Sequence, residues 1–315
     1  MAFTDMTTSK QDLAGVLSPV LTPFNADYSP DPDRLIRHCR WLLQQEVGLA
    51  VFGTNSEANS LALTEKRRLL DALLEAGLPA SRMMPGTGCC ALPESIELTR
   101  AAVSAGCAGV LMLPPFFYKN VSEEGLYRAF STVIEAVADD RLRLYLYHIP
   151  AVSQVPITHG LVQRLLERYP GCVAGMKDSS GDWNNTRSMI EAFGPAGFQV
   201  FAGSETYLLA TMRAGGAGCI TATGNVNPGP ILELFKSWQA PDAQQQQDRL
   251  DATREAFAKF PLIAAMKAAI AWKSGRRDWL TVRPPLVNLS PGEETQLHER
   301  LDAVGFDLPG AGQLA

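Results

Sequence analysis

Short apolar runs alternate with longer amphipathic ones along most of the chain. The runs at 15–24, 49–53, 82–86, 109–115, 142–149, 173–177, 198–203 and 218–223 are rich in Val, Leu, Ile, Met and Phe, and they predict eight strands. Between them, residues 66–76, 95–105 and 124–138 place apolar side chains at helical spacing. Each of these is preceded by a helix-start signal: Thr64-Glu65, Pro93-Glu94 and Ser122-Glu123. Gly77 and Gly106 follow two of the segments, where a helix C-terminus favours a residue that tolerates positive φ.

Strand followed by helix, repeated eight times over roughly 220 residues, predicts a closed parallel (β/α)8 TIM barrel. Parallel strands need helical crossovers, and closure removes the exposed sheet edges. The competing fold is an open doubly wound sheet, but no GxGxxG opens the first helix and no GxxxxGK[ST] occurs. From about Pro228 the pattern becomes helical throughout, at 231–239, 242–260, 261–272 and 291–304. The expected organisation is an N-terminal segment 1–14, a barrel 15–229 and a C-terminal helical extension 230–315.

Composition agrees with a chain that buries a full core. Its 315 residues are 46% hydrophobic and 19% charged, which excludes disorder, collagen and a disulfide mini-protein. The 28 Lys and Arg against 33 Asp and Glu give net −5 without like-charge blocks, so nucleic acid and anionic membrane are not expected partners. The first ten residues lack a basic-then-apolar leader pattern, and the apolar stretches 109–117 and 260–272 are too short or carry a Lys. A soluble cytoplasmic protein is expected. The six cysteines (39, 89, 90, 107, 172, 219) show no metal-ligand spacing and are expected as buried free thiols; His38, His148, His159 and His298 are scattered. Chemistry without a metal or cofactor is the working expectation.

In a barrel of this kind, reactive groups gather where strands end. Of the eight lysines, Lys177 alone closes a predicted strand. An amine with the ordinary pKa near 10.4 is neutral in only about one molecule in a few thousand at pH 7, and a low-dielectric barrel mouth would raise that fraction. A neutral amine attacks carbonyls to form a Schiff base. The other reading is a rim lysine paired with Asp178, and position alone does not separate the two. Alternation puts Val173, Gly175 and Lys177 on one face, and Tyr145 and Tyr147 on one face of the preceding run. If the registers agree, the Tyr147 phenol meets the Lys177 amine and shuttles its protons; otherwise Tyr147 is a core aromatic. Gly53-Thr54-Asn55-Ser56-Glu57 offers hydroxyls, an amide and backbone N–H groups suited to a carboxylate, although such residues also simply form turns. The stretch 214–218 reads as a tight turn. Lys267 lies within an apolar helical run and is set aside as a nucleophile.

These strand ends together resemble the dihydrodipicolinate synthase and N-acetylneuraminate lyase family of class I, Schiff-base-forming aldolases, over nearly the whole chain. The family's G-[ST]-T-G-E is similar to Gly53-Thr54-Asn55-Ser56-Glu57, its Y-N-[IVL]-P to Tyr147-His148-Ile149-Pro150, and its lysine segment to Gly175-Met176-Lys177-Asp178-Ser179. The resemblance implies that Lys177 forms the imine with a 2-oxo acid such as pyruvate and that Tyr147 relays protons. It implies that Thr54, with Asn55 and Ser56, meets the carboxylate, and that Gly203, Ser204, Glu205 and Ile220 contact the substrate. It also implies a homotetramer in which an aromatic from a neighbouring subunit, here Phe117 or Tyr118, enters the site.

Departures from the pattern bear on the substrate. Where the family's dihydrodipicolinate synthases hold the second substrate's carboxylate with an arginine, this chain has Val152, which disfavours lysine biosynthesis. The segment Gly203-Ser204-Glu205-Thr206 suits a hydroxylated, sugar-acid-like chain. A phosphorylated substrate would find Ser204 and Thr223-Gly224-Asn225 but no Lys or Arg close in sequence. The leading expectation is an aldolase or lyase with pyruvate as one partner. Alternatives are a dehydratase or hydratase using the same imine, a dihydrodipicolinate synthase, or a non-catalytic binder of a 2-oxo acid.

Overall fold

The computed structural model describes residues 14–314, so all but the last residue of the expected segment 1–14 lies outside the described residues. Seven strands form one parallel sheet: β1 (Gly15–Ser18), β2 (Gly48–Leu49), β3 (Val110–Met112), β4 (Leu144–His148), β5 (Val173–Asp178), β6 (Gln199–Ala202) and β7 (Gly218–Ile220). Their spatial order is β2-β1-β7-β6-β5-β4-β3.

The run at 82–86, expected as a full strand, is reduced to bridges. Met83 pairs with Leu49 on one side and Gly86 with Leu111 on the other, both parallel. Met84 N–H donates to Leu49 O at 2.8 Å, Gly86 N–H to Val51 O at 2.7 Å, and Leu111 N–H to Pro85 O at 2.9 Å. The segment therefore fills the gap between β2 and β3 and closes a TIM barrel. Pro85 has no N–H, so a continuous ladder cannot run through it. Proline also shortens the first run: β1 stops at Ser18, just before Pro19.

The predicted helices form close to their expected bounds, as Leu63–Glu75, Leu92–Ser104 and Glu123–Val137. The Ser122 side chain caps the third by accepting from Gly125 N–H at 3.1 Å. The C-terminal helices are Pro228–Ser237, Ala243–Ala258, Leu262–Ser274 and Pro291–Ala303. They share one apolar core with the first barrel strands, including Leu21, Phe24, Trp279, Leu297 and Leu301. Among the described residues no helix is long and apolar enough to cross a membrane. Cys39, Cys89 and Cys219 are buried as expected, whereas Cys107 and Cys172 are half-buried and Cys90 is exposed.

The barrel interior is filled by Leu17, Ala50, Met84, Leu111, Tyr145, Tyr147, Phe201 and Ile220, contributed from around the ring. Tyr145 fits because its neighbours have no side chain. A Cβ on Gly109 would lie 2.6 Å from its ring, and one on Gly175 would lie 2.9 Å from it. Lys177 stands at the upper edge of this packed layer, level with Tyr147 and Phe201.

Candidate active site

The parallel register sets Tyr147 of β4 directly beside Lys177 of β5, and Phe201 of β6 on the other side. Both side chains point into the barrel mouth by alternation, and both are buried, Lys177 to 3% exposure. Lys177 Nζ lies 3.3 Å from Tyr147 Oη and 4.4 Å from the phenol ring centroid. Tyr147 Oη is 3.0 Å from Thr54 Oγ1, which makes a continuous chain of amine, phenol and hydroxyl.

The alternative partner for the lysine is otherwise engaged. Asp178 points away from the barrel axis, where its Oδ2 accepts from Asn185 Nδ2 at 2.9 Å and Thr186 Oγ1 at 2.7 Å, and its Oδ1 accepts from Ser180 N–H at 2.9 Å. His148, also turned outward, accepts the Ile157 N–H on Nδ1 at 3.0 Å. Burial holds its pKa below the ordinary imidazole value, with Asp178 opposing that shift.

The 53–57 loop is a 3₁₀ turn over Thr54–Ser56. Ser56 holds the turn in place: its Oγ accepts from Gly53 N–H at 3.2 Å and donates to Val20 O, while its carbonyl takes the Thr22 hydroxyl at 2.7 Å. Thr54 and Asn55 line the cleft and Ser56 does not, so the three residues expected to work together divide into two that face substrate space and one that builds the turn. Glu57 follows in a left-handed conformation, φ +56°. Its buried carboxylate meets Lys267 Nζ at 2.6 Å and Arg283 N–H at 2.8 Å.

The cleft above Lys177 has a volume of about 290 Å³, and its wall includes Thr54, Asn55, Tyr147, Gly203, Ser204 and Val152. Other residues of the resemblance lie elsewhere. Glu205 is buried and turned from the cleft, accepting hydroxyls from Thr221 and Thr223. Ile220 belongs to the interior layer below. Phe117 and Tyr118 are 71% and 74% exposed and do not line the cleft of their own chain.

Sequence reasoning missed two features. Lys267, set aside as a nucleophile, does not line the cleft, but its full burial against Glu57 was not foreseen; a lone lysine in an apolar helix is the available signal. Arg254 and Leu262, from the helical extension, line the same cleft as Lys177. Nothing local marks Arg254, which sits in a polar helix far along the chain from the barrel. Among the described residues no three His, Cys, Asp or Glu side chains gather as a metal site would require.

A family model described as the dihydrodipicolinate synthetase family matches residues 12–304. An uncharacterized DapA-like lyase of Chloroflexus aurantiacus is 33% identical over 293 residues, covering 92% of this chain and 96% of that protein. The crystal structure of dihydrodipicolinate synthase from Agrobacterium tumefaciens superposes with a TM-score of 0.84 at 30% identity, over 92% of this chain and 99% of the other. YagE, an E. coli prophage protein of the dihydrodipicolinic acid synthase family solved in complex with pyruvate, does so with a TM-score of 0.84 at 29% identity, over 93% and 99%.

Proposed function

The chain belongs to the dihydrodipicolinate synthetase family, and from that premise we propose that it is a Schiff-base-forming lyase that reversibly cleaves a carbon–carbon bond in a 2-oxo acid and yields pyruvate. The observation that carries this reading is the chain from Lys177 Nζ through Tyr147 Oη to Thr54 Oγ1, at 3.3 and 3.0 Å, at the base of a cleft.

In this reading Lys177 adds to the 2-oxo carbon, and Tyr147 delivers the proton that lets the carbinolamine oxygen leave as water. The iminium then accepts the electron pair of the bond between the third and fourth carbons as the fourth carbon's hydroxyl gives its proton to the phenolate. An aldehyde departs and an enamine remains. Protonation of the enamine and return of one water release pyruvate and restore the amine. Thr54 holds the phenol between its two proton positions. Asn55 and the Thr54 turn meet the carboxylate next to the imine.

Val152 borders the cleft without a charge, which speaks against dihydrodipicolinate synthase as the activity. The assembly we propose is a homotetramer in which exposed Phe117 or Tyr118 packs against a second copy near the site. The buried thiols of Cys39, Cys89 and Cys219 fit a reducing cytoplasmic setting.

Borohydride added with pyruvate tests the reading. A reduced pyruvyl adduct is expected on Lys177 by peptide mass and is expected to be absent from Lys177→Ala. No adduct at saturating pyruvate overturns it. Release of water in place of an aldehyde, followed by NMR, would move the activity from aldolase to dehydratase on the same imine.

A further inference from the structure

The imine chemistry accounts for Lys177, Tyr147 and Thr54 and leaves one charged group of the cleft wall, Arg254, unexplained; the inference here rests on that reading. Lys177 and Arg254 are the two cations lining the cleft among the described residues. Arg254 arrives from helix Ala243–Ala258 of the extension, and that helix is docked firmly. Gln247 donates to Glu205 O and accepts from Leu209 N–H, both at 3.0 Å. Glu205 in turn takes the Thr223 hydroxyl on Oε1 and the Thr221 hydroxyl on Oε2, and the latter oxygen stands 3.5 Å from Arg254 Nη1.

This contact orients the guanidinium without using it up. Nη1 is buried, and no acceptor among the described residues takes a hydrogen bond from it. A guanidinium presents five donors in a planar fork, and one whose Nη1 has only an ion-pair contact at 3.5 Å and no hydrogen bond is matched best by an incoming carboxylate that binds two of its donors. A neutral hydroxylated tail could accept single hydrogen bonds from the fork but offers neither the opposite charge nor the paired acceptors of a carboxylate. Glu205 beside it offsets part of the charge, which suits the single charge of a carboxylate and disfavours the near-double charge of a phosphate.

We propose that Arg254 binds a second carboxylate at the far end of the substrate, so that the substrate class is a 2-oxo dicarboxylate. The extension then does more than cover the barrel: it supplies the group that reads the substrate's tail. Arg254 takes up the charge recognition that Val152 cannot provide.

The test compares 2-oxoglutarate with 2-oxohexanoate, in which an ethyl group replaces the distal carboxylate. Borohydride-trapped adduct on Lys177 is titrated against each. Wild-type enzyme is expected to half-saturate at a concentration about tenfold or more lower with 2-oxoglutarate, as a charge-assisted hydrogen-bonded pair predicts. Arg254→Gln is expected to bring the ratio close to one, and Arg254→Lys to restore part of it. Equal loading of wild type by both acids, or a preference that survives Arg254→Gln, overturns the proposal. Should Arg254→Gln fail to fold, the wild-type ratio measured at rising sodium chloride decides, because only an ionic contact is screened. If even pyruvate leaves no adduct, the imine reading has failed; calorimetric binding of glutarate against hexanoate, neither of which forms an imine, then judges the anion subsite alone, and equal affinities overturn it.

Discussion

Lys267 Nζ lies 2.6 Å from Glu57 Oε1, and both side chains are fully buried although 210 positions separate them in the chain. The pair ties the helical extension to the residue that follows the Thr54 turn. Burial draws the Lys267 pKa down to about 8, against the pull of Glu57 in the other direction. Breaking the pair leaves a charge in the core. Lys267→Met is expected to lose about 3–5 kcal/mol of stability by urea unfolding, whereas Lys267→Met combined with Glu57→Gln is expected to recover a large part of it. A double variant no more stable than the single one would show that the carboxylate is not what the lysine neutralises.

Tyr147 sits between the amine and Thr54, so its hydroxyl and its ring are separable by substitution. Tyr147→Phe is expected to slow trapping of pyruvate on Lys177 by about 10²- to 10⁴-fold, the usual worth of a positioned proton donor. Thr54→Val, which keeps the shape and removes one hydrogen bond to the phenol, should slow it by roughly tenfold. Rapid-quench measurement of adduct formation checks both. A Tyr147→Phe rate within a factor of two of wild type would remove the phenol from the mechanism.

Gly175 precedes Lys177 by two residues on the same strand face. A Cβ there would come within 2.1 Å of Gln199 O, on the neighbouring strand, and 2.9 Å of the Tyr145 ring. Gly175→Ala is therefore expected to force β5 and β6 apart, lowering stability by about 1–3 kcal/mol and reducing pyruvate trapping as Lys177 shifts. Unfolding curves together with adduct yield test this. Unchanged values for both would mean that the added Cβ is accommodated without parting the strands.

His38 is buried between Trp41 and Trp279, and its Nε2 lies 3.0 Å from Asn225 Oδ1. Burial lowers its pKa from 6.5 to about 4. The folded protein thus refuses a proton that the unfolded chain accepts, so the stability present above pH 6.5 is lost as pH falls towards 4. Between pH 7 and 5 this group alone should remove about 2 kcal/mol. Urea unfolding at pH 7, 6 and 5 is expected to fall more steeply for wild type than for His38→Leu; parallel slopes would assign the acid limb to other groups.

Local pattern was enough for much of the barrel. Period-2 and period-3.6 spacing located the strands and helices, because each strand or helix buries one face and repeats apolar side chains to do so. It overestimated the strands where proline intervened: Pro19 and Pro85 interrupt apolar runs that hydropathy reads as continuous, since a missing N–H leaves no mark on hydrophobicity. The lysine and tyrosine strand ends were also legible, and alternation put each on its inner face.

The alternation of elements and the chemistry carried at strand ends are thus both set by neighbours a few residues away. Tertiary structure alone decided that Tyr147 pairs in register with Lys177, that Asp178 is occupied elsewhere, that Glu205 turns from the cleft, that Arg254 comes back from the extension to the cleft, and that Lys267 comes back to Glu57. Register and long-range return depend on closing the ring and packing helices on it. Those contacts join residues far apart in the chain, and no local spacing encodes them.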